Sequence, residues 1–154
     1  MKINLNGKTA LISGAAQGIG QAIALKFKEA GARLILIDKS SEKLEKLASE
    51  IGSNVVTCSL DVSNEKDIVA NVGSILKHEK RIDILVNNAA TVTRRAKITE
   101  LDFKEWQNAL AVNLNGVFLL SRIVIPKMQQ SGGGVILNIA SQLGHVGIAG
   151  ATAY

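Results

Sequence analysis

The stretch Ser13-Gly14-Ala15-Ala16-Gln17-Gly18-Ile19-Gly20 decides how the chain is read. The apolar run Thr9-Ala10-Leu11-Ile12 precedes it and an apolar-periodic stretch from Ile19 to Ala30 follows, so the order is strand, glycine turn, helix. Glycines at these places let the backbone turn sharply and admit a pyrophosphate with no Cβ in the way. They also aim the helix's free N–H groups and positive dipole end at that anion. The spacing of Gly14, Gly18 and Gly20 is Gly-x-x-x-Gly-x-Gly rather than the more general Gly-x-Gly-x-x-Gly, so context has to carry weight. A second apolar run, Leu34-Ile35-Leu36-Ile37, ends in Asp38, at about the separation where an acidic residue meets an adenosine ribose 2′-hydroxyl. The competing reading is a tight turn with no ligand and a helix-capping Asp38.

At 154 residues, 47% of them apolar, the chain has the size of one folded domain with a genuine core. Its apolar stretches read as strand-sized or interrupted by polar side chains, which predicts that no segment spans a membrane and that the protein is soluble. The start, Met1 to Gly7, lacks an apolar leader pattern, so secretion is not expected and the cytoplasm is. The single cysteine, Cys58, is expected to be a buried, inert thiol. A net charge of +5 raises the question of nucleic acid. Lys39, Lys43 and Lys46 alternate with Glu42, Glu45 and Glu50 as a solvated helix face would, and only Arg94, Arg95 and Lys97 cluster. With aromatic residues at 3%, platforms for stacking bases are scarce, and nucleic acid is not an expected partner. No Cys, His or carboxylate spacing suggests a metal site.

Strands are predicted over residues 8–13, 34–37, 54–60, 82–86 and 135–139. Helices are predicted over 18–30 and 41–51, from Asp61-Val62-Ser63 to near His78, and over 101–130 with a break or change of direction near its start. Strands alternating with helices, each strand an almost continuous apolar run, imply an α/β fold: a Rossmann-type, doubly wound parallel sheet covered on both faces. Right-handed crossovers make 3-2-1-4-5 the natural strand order. No linker or short repeat interrupts it.

With these elements placed, the sequence resembles the short-chain dehydrogenase/reductase family of the classical type, along its whole length. The turn Gly14-x-x-x-Gly18-x-Gly20 fits, with Ser13 where the family usually has Thr. Asp61-Val62 matches the pair beside the adenine ring, and Asn87-Asn88-Ala89-Ala90 resembles the signature Asn-Asn-Ala-Gly, departing at Ala90. Asn113, Ser141 and Tyr154 match the catalytic Asn, Ser and Tyr. The resemblance implies that Ser13, Gly14, Gln17, Gly18, Ile19, Gly20, Asp38, Asp61, Val62 and Asn87 bind a nicotinamide dinucleotide. It further implies hydride transfer to or from a small-molecule carbonyl or secondary alcohol, and a homo-oligomer. One departure is large. The family's Tyr is followed four residues later by a Lys, whereas this chain ends at Tyr154. Residues 1–154 are therefore expected to be one NAD(P)-binding domain, incomplete at its C-terminus and truncated before the last strands.

In the family's chemistry Tyr154 would exchange a proton with the substrate oxygen, Ser141 would steady that oxygen's charge, and Asn113 would order a water. An unperturbed phenol titrates near 10, so about one in a thousand is ionised at pH 7, and the missing Lys normally corrects this. Little or no turnover is expected of the chain as given. A non-catalytic nucleotide-binding or interaction module is the alternative. His145, four residues after Ser141, is not expected to act as a base, because no nucleophile elbow surrounds Ser141. Asp38 would repel a 2′-phosphate, favouring NAD over NADP, with Lys39 beside it acting in the opposite sense. The fifth strand would be an unpaired edge and the long helix around Leu110, Leu114, Val117 and Phe118 would lack part of its cover, so self-association is expected.

Overall fold

The computed structural model describes residues 3–154; Met1 and Lys2, part of the start read for a leader, lie outside the described residues. Five parallel strands form one sheet: β1 (Thr9–Ser13), β2 (Arg33–Asp38), β3 (Val55–Ser59), β4 (Ile84–Asn87) and β5 (Val135–Asn138), in the order β3-β2-β1-β4-β5. Both the parallel sheet and the strand order agree with the expectation. Helices α1 (Gly18–Glu29) and α2 (Ser41–Ile51) cover one face. The other face is covered by α3, which runs over residues 65–78, and α4, Phe103–Gln130.

The pleat divides the core in two. Leu11, Ile35, Ile37 and Leu85 point toward α3 and α4, where Val72, Leu120, Val124 and Met128 meet them. Ala10, Ile12, Leu34, Leu36 and Val86 point toward Ala24, Leu44 and Leu47. Strands buried on both faces read as unbroken apolar runs for this reason.

Three readings are corrected, and one competing alternative fails. The long helix begins at Phe103, where the Asp102 carboxylate accepts the Lys104 amide at 2.7 Å, rather than at residue 101, and it runs unbroken to Gln130, its irregularity being a π turn at Ala111–Asn115 rather than a break near its start. This same helix is long and apolar enough to cross a bilayer, with a mean hydropathy of 1.6 over an 18-residue window, against the reading that no segment reaches that length. Its amides and hydroxyls interrupt the apolar run without lowering the mean enough. In the fold it lays Leu120, Val124 and Met128 on the sheet. Cys58 is half-buried rather than buried, because β3 is a sheet edge, and burial pushes its thiol pKa up. Asp38 is not a helix cap; Ser40 holds that place, without a side-chain bond.

At the N-terminal edge of the sheet, Asp83 is buried and accepts from the Thr9 amide at 3.0 Å, Lys8 Nζ at 3.2 Å and the Arg81 guanidinium. Burial alone would raise its carboxyl pKa, but Arg81, the Thr9 amide and Lys8 outweigh burial and hold it below the usual carboxylate range. A depressed folded pKa means this contribution is present above the ordinary value near 4 and is lost as pH falls through the folded value. Asp83→Asn is expected to cost about 2 kcal/mol at pH 7, less than a fully buried pair because Lys8 and Arg81 can rehydrate. Urea melts should show the gap between wild type and variant shrinking below about pH 4.

Candidate functional site

The glycine turn after β1, Asp38 at the end of β2, Asp61 and Val62 after β3, Asn87 at the end of β4 and Ser141 after β5 all lie toward the C-terminal edge of the sheet, where the strand order reverses between β1 and β4. Open α/β sheets place their ligands at such a switch point. The turn after β1 is stitched to the end of β4. Ser13 Oγ accepts the Asn88 and Ala89 amides at 3.1 and 3.2 Å, and Asn88 Nδ2 donates to the Ser13 and Gly14 carbonyls at 3.0 and 2.9 Å. Gly14 and Gly18 adopt left-handed φ values of 62° and 57°. A Cβ on Gly14 would sit 2.7 Å from Ala89 Cα, and one on Gly20 would overlap the Gly14 carbonyl oxygen. Two of the three glycines thus serve close packing of turn against strand and helix, and Gly18 serves the left-handed bend into α1. The first turn of α1 has no acidic residue, and Gln17 at its N-cap makes no side-chain cap bond. Its N–H groups and positive dipole end remain free to meet an anion.

This turn opens onto a groove of about 310 Å³. Of the residues assigned from sequence, Gly14, Gln17, Gly18, Ile19, Asp38, Asp61 and Val62 line it. Asp38 accepts the Ala16 amide on Oδ2 and the Ser40 amide on Oδ1, both at 3.0 Å, so it is fixed in place between the glycine turn and α2. Lys43 Nζ donates to Gln17 Oε1, tying α2 to the same turn. Asp61 accepts the Ser63 amide and hydroxyl at 2.9 and 2.7 Å; the amide bond chiefly, opposed by burial and helped by Lys39, lowers its pKa. Val62 is buried against Gly116, which has room for no Cβ without pressing on it.

Ser13, Gly20 and Asn87 do not line the groove. The first two build its frame. Asn87 points into the fold, donating from Nδ2 to Asn138 Oδ1 at 2.9 Å and Ser121 Oγ at 3.3 Å, and so joins β4 to β5 and α4. The sequence reading missed Asn88, Thr91, Asn108 and Val112 as lining residues. The last two lie one helical turn apart on α4, and the i, i+4 spacing could have grouped them.

Asn113, in the π turn, clamps Thr91: its Oδ1 accepts the Thr91 amide at 2.8 Å and its Nδ2 donates to the Thr91 carbonyl at 2.9 Å. Ser141 follows β5 and caps a short turn at Gln142–Gly144, its Oγ accepting the Leu143 amide at 3.1 Å. Tyr154 is 43% exposed. Neither Ser141 nor Tyr154 lines the groove. The segment joining them is held to the loop after β4 by the Ala96 amide on the Gly150 carbonyl, at 3.0 Å, and by a bridge from Ala96 to Ala151. Chemically, the site offers an anion cradle with a fixed carboxylate beside it.

Comparison with known proteins agrees with this geometry. The family model described as short chain dehydrogenase matches residues 8–154. The chain is 39% identical to a D-threitol dehydrogenase of Mycolicibacterium smegmatis over 153 residues, covering 97% of this chain and 58% of that protein. It is 37% identical to a 3-oxoacyl-[acyl-carrier-protein] reductase of Thermotoga maritima, covering 99% of this chain and 63% of the other. A crystal structure of the 3-ketoacyl-(acyl-carrier-protein) reductase from Brucella melitensis complexed with NADH superposes with a TM-score of 0.93 at 33% identity, covering 98% and 64% respectively. The chain therefore spans roughly three fifths of the length of these relatives.

Proposed function

The chain belongs to the short-chain dehydrogenase family, and on that premise we propose that its groove binds a nicotinamide dinucleotide for hydride transfer between that cofactor and a carbonyl or secondary alcohol. One observation carries the proposal: Gly14, Gly18 and the uncapped first turn of α1 form an anion cradle, and the same groove holds Asp38 in a fixed place beside the turn. The cradle would take the pyrophosphate, Asp38 the adenosine ribose, and Asp61 with Val62 the side of the adenine. When bound, the cofactor supplies or accepts the hydride.

The chain's own residues would do the rest. Tyr154 would hold and pass the proton at its phenol oxygen, and Ser141 Oγ would donate to the substrate oxygen as charge develops there. Asn113 is a positioning residue in this scheme, because both ends of its amide hold Thr91 at the groove wall. The activity, a homo-oligomeric state and a cytoplasmic setting are proposed for the whole protein. Residues 1–154 would be its nucleotide-binding part.

Asp38 also sets the proposed cofactor preference. Its charge accepts from a ribose diol and repels a 2′-phosphate, and Lys39 on the same wall softens that repulsion. Titration followed by nicotinamide fluorescence is expected to give tighter NADH than NADPH binding. Asp38→Asn keeps an acceptor for at least one of the two amides while removing the charge, and should weaken NADH about tenfold while leaving or improving NADPH. Equal or reversed affinities in the wild type would overturn the preference, and binding of neither would overturn the site.

A further inference from the structure

At the opposite edge of the sheet from the glycine turn lies a cleft of about 450 Å³, lined by Lys8, Arg33, Asn54, Glu79, Lys80 and Arg81 among others. We propose that it is a second anion site, shaped for a small phosphate-bearing ligand and independent of the nucleotide groove. The argument starts from two carboxylates beneath the surface. Glu79 and Asp83 are only 8% and 7% exposed. Arg33 grips Glu79 in a fork, Nε at 2.9 Å and Nη2 at 2.7 Å, and Arg81 grips Asp83 in the same manner through Nε and Nη2. Each fork fixes a guanidinium in orientation, so little further ordering is needed when a ligand arrives.

What the forks leave over faces the cleft's cationic balance. Arg33 keeps Nη1, whose contact is a long 3.4 Å bond to Asn54 Oδ1. Arg81 keeps an Nη1 with no bond among the described residues, and exposed Lys80 has no ion-pair partner among them. Four cations therefore stand over two carboxylates. Helices α1 and α3 turn their negative C-terminal ends to this edge, which would oppose an anion. Part of that charge is met within the chain: Ala30, Gly31 and Ala32 amides bond the carbonyls of Lys26, Lys28 and Phe27, and the Glu79 amide bonds that of Ile75. Fastening the strand starts explains Lys8, Arg33 and Arg81 where they meet Asp83 and Glu79; among the described residues it leaves Lys80 and Arg81 Nη1 without a partner, and Arg33 Nη1 with only its long bond to Asn54. Planar guanidinium edges beside a mobile ammonium are the donor set that tetrahedral oxyanions use.

The test is equilibrium dialysis of the 154-residue chain against labelled pyrophosphate at constant ionic strength near 0.15 M, where diffuse attraction is screened over about 8 Å. The glycine turn could also take this probe, so four proteins are compared: wild type, Lys80→Glu, Gly18→Asp and Lys104→Glu, the last reversing an exposed lysine on α4. Lys80→Glu is expected to weaken one binding event at least tenfold, Gly18→Asp to leave that event intact, and Lys104→Glu to change nothing. Circular dichroism spectra of Lys80→Glu should match wild type, since Lys80 makes no ion pair among the described residues. A failed nucleotide groove would appear as one event in the wild type, lost in Lys80→Glu and kept in Gly18→Asp, and the second site would stand. Unchanged binding in Lys80→Glu, or equal weakening by Lys104→Glu, would overturn it.

Discussion

Replacing Gly20 by alanine is expected to destabilise the fold by about 2–3 kcal/mol and to reduce NADH binding at least a hundredfold, whereas Gly18→Ala should cost only about 1 kcal/mol of stability. The contrast follows from what each new methyl would meet. At Gly20 it would run into the Gly14 carbonyl oxygen and lie 2.6 Å from Asn88 Nδ2. The carbonyl is backbone and cannot swing aside, and Asn88 Nδ2 is already bonded to the Ser13 and Gly14 carbonyls. Relief therefore requires α1 to back away from β1, which opens the turn and disperses the N–H groups that would hold a pyrophosphate. At Gly18 a methyl meets nothing within 4 Å, and the only penalty to stability is the left-handed φ of 57°. Gly18 lines the groove, however, so its methyl would stand where the phosphate is proposed to approach. The expected pattern is thus a destabilised Gly20→Ala and a stable Gly18→Ala, both weak in NADH. Chemical denaturation beside a fluorescence titration measures both. A Gly20→Ala protein with wild-type stability would show that the helix can shift without consequence, and the close-packing argument would fail.

The same residues show where sequence reading reached and where it stopped. Strands buried on both faces announce themselves as apolar runs, so β1, β2 and β4 with their order were legible. Ser13 was assigned to the ligand because it sits in the motif. Its hydroxyl in fact serves the Asn88 and Ala89 amides, partners 75 and 76 positions away that no local pattern links to it. Asn87 and Asn88 look equivalent in sequence. Strand alternation sends the first between β4, β5 and α4 and leaves the second at the groove wall. Asn113 was legible as a site residue only through a family likeness; its clamp on Thr91 depends on the π turn, which has no compositional signature of its own. The hydropathy of α4 misleads in the other direction, since a helix that covers a sheet and one that spans a lipid layer can share a mean value.

The 154-residue chain is expected to self-associate at micromolar concentration, and Leu137→Lys is expected to return it toward monomer. Strand β5 is an outer strand, and register places its residues on known faces: Ile84 pairs with Val135, Leu85 with Ile136 and Val86 with Leu137. Ile136 therefore shares the face of Leu85, covered by α4, and packs against that core. Val135 and Leu137 share the face of Val86, where α1 and α2 cover the inner strands but nothing among the described residues covers β5. Val135 is 55% and Leu137 43% exposed, with Ile139 beside them at 39%. Outside the sheet, Leu114 and Phe118 on α4 are 61% and 59% exposed. Burying what remains open on Val135, Leu137 and Ile139 is worth about 2–4 kcal/mol per chain, before any hydrogen bonds gained along the free strand edge. A lysine at position 137 puts a charge on that face and opposes edge pairing without touching the α4 side. Sedimentation velocity of both proteins over a concentration series decides the matter. A wild-type monomer with one sharp melt would mean that the bare strip is tolerated. Undiminished association in Leu137→Lys would move the contact from β5 to the Leu114 and Phe118 face of α4.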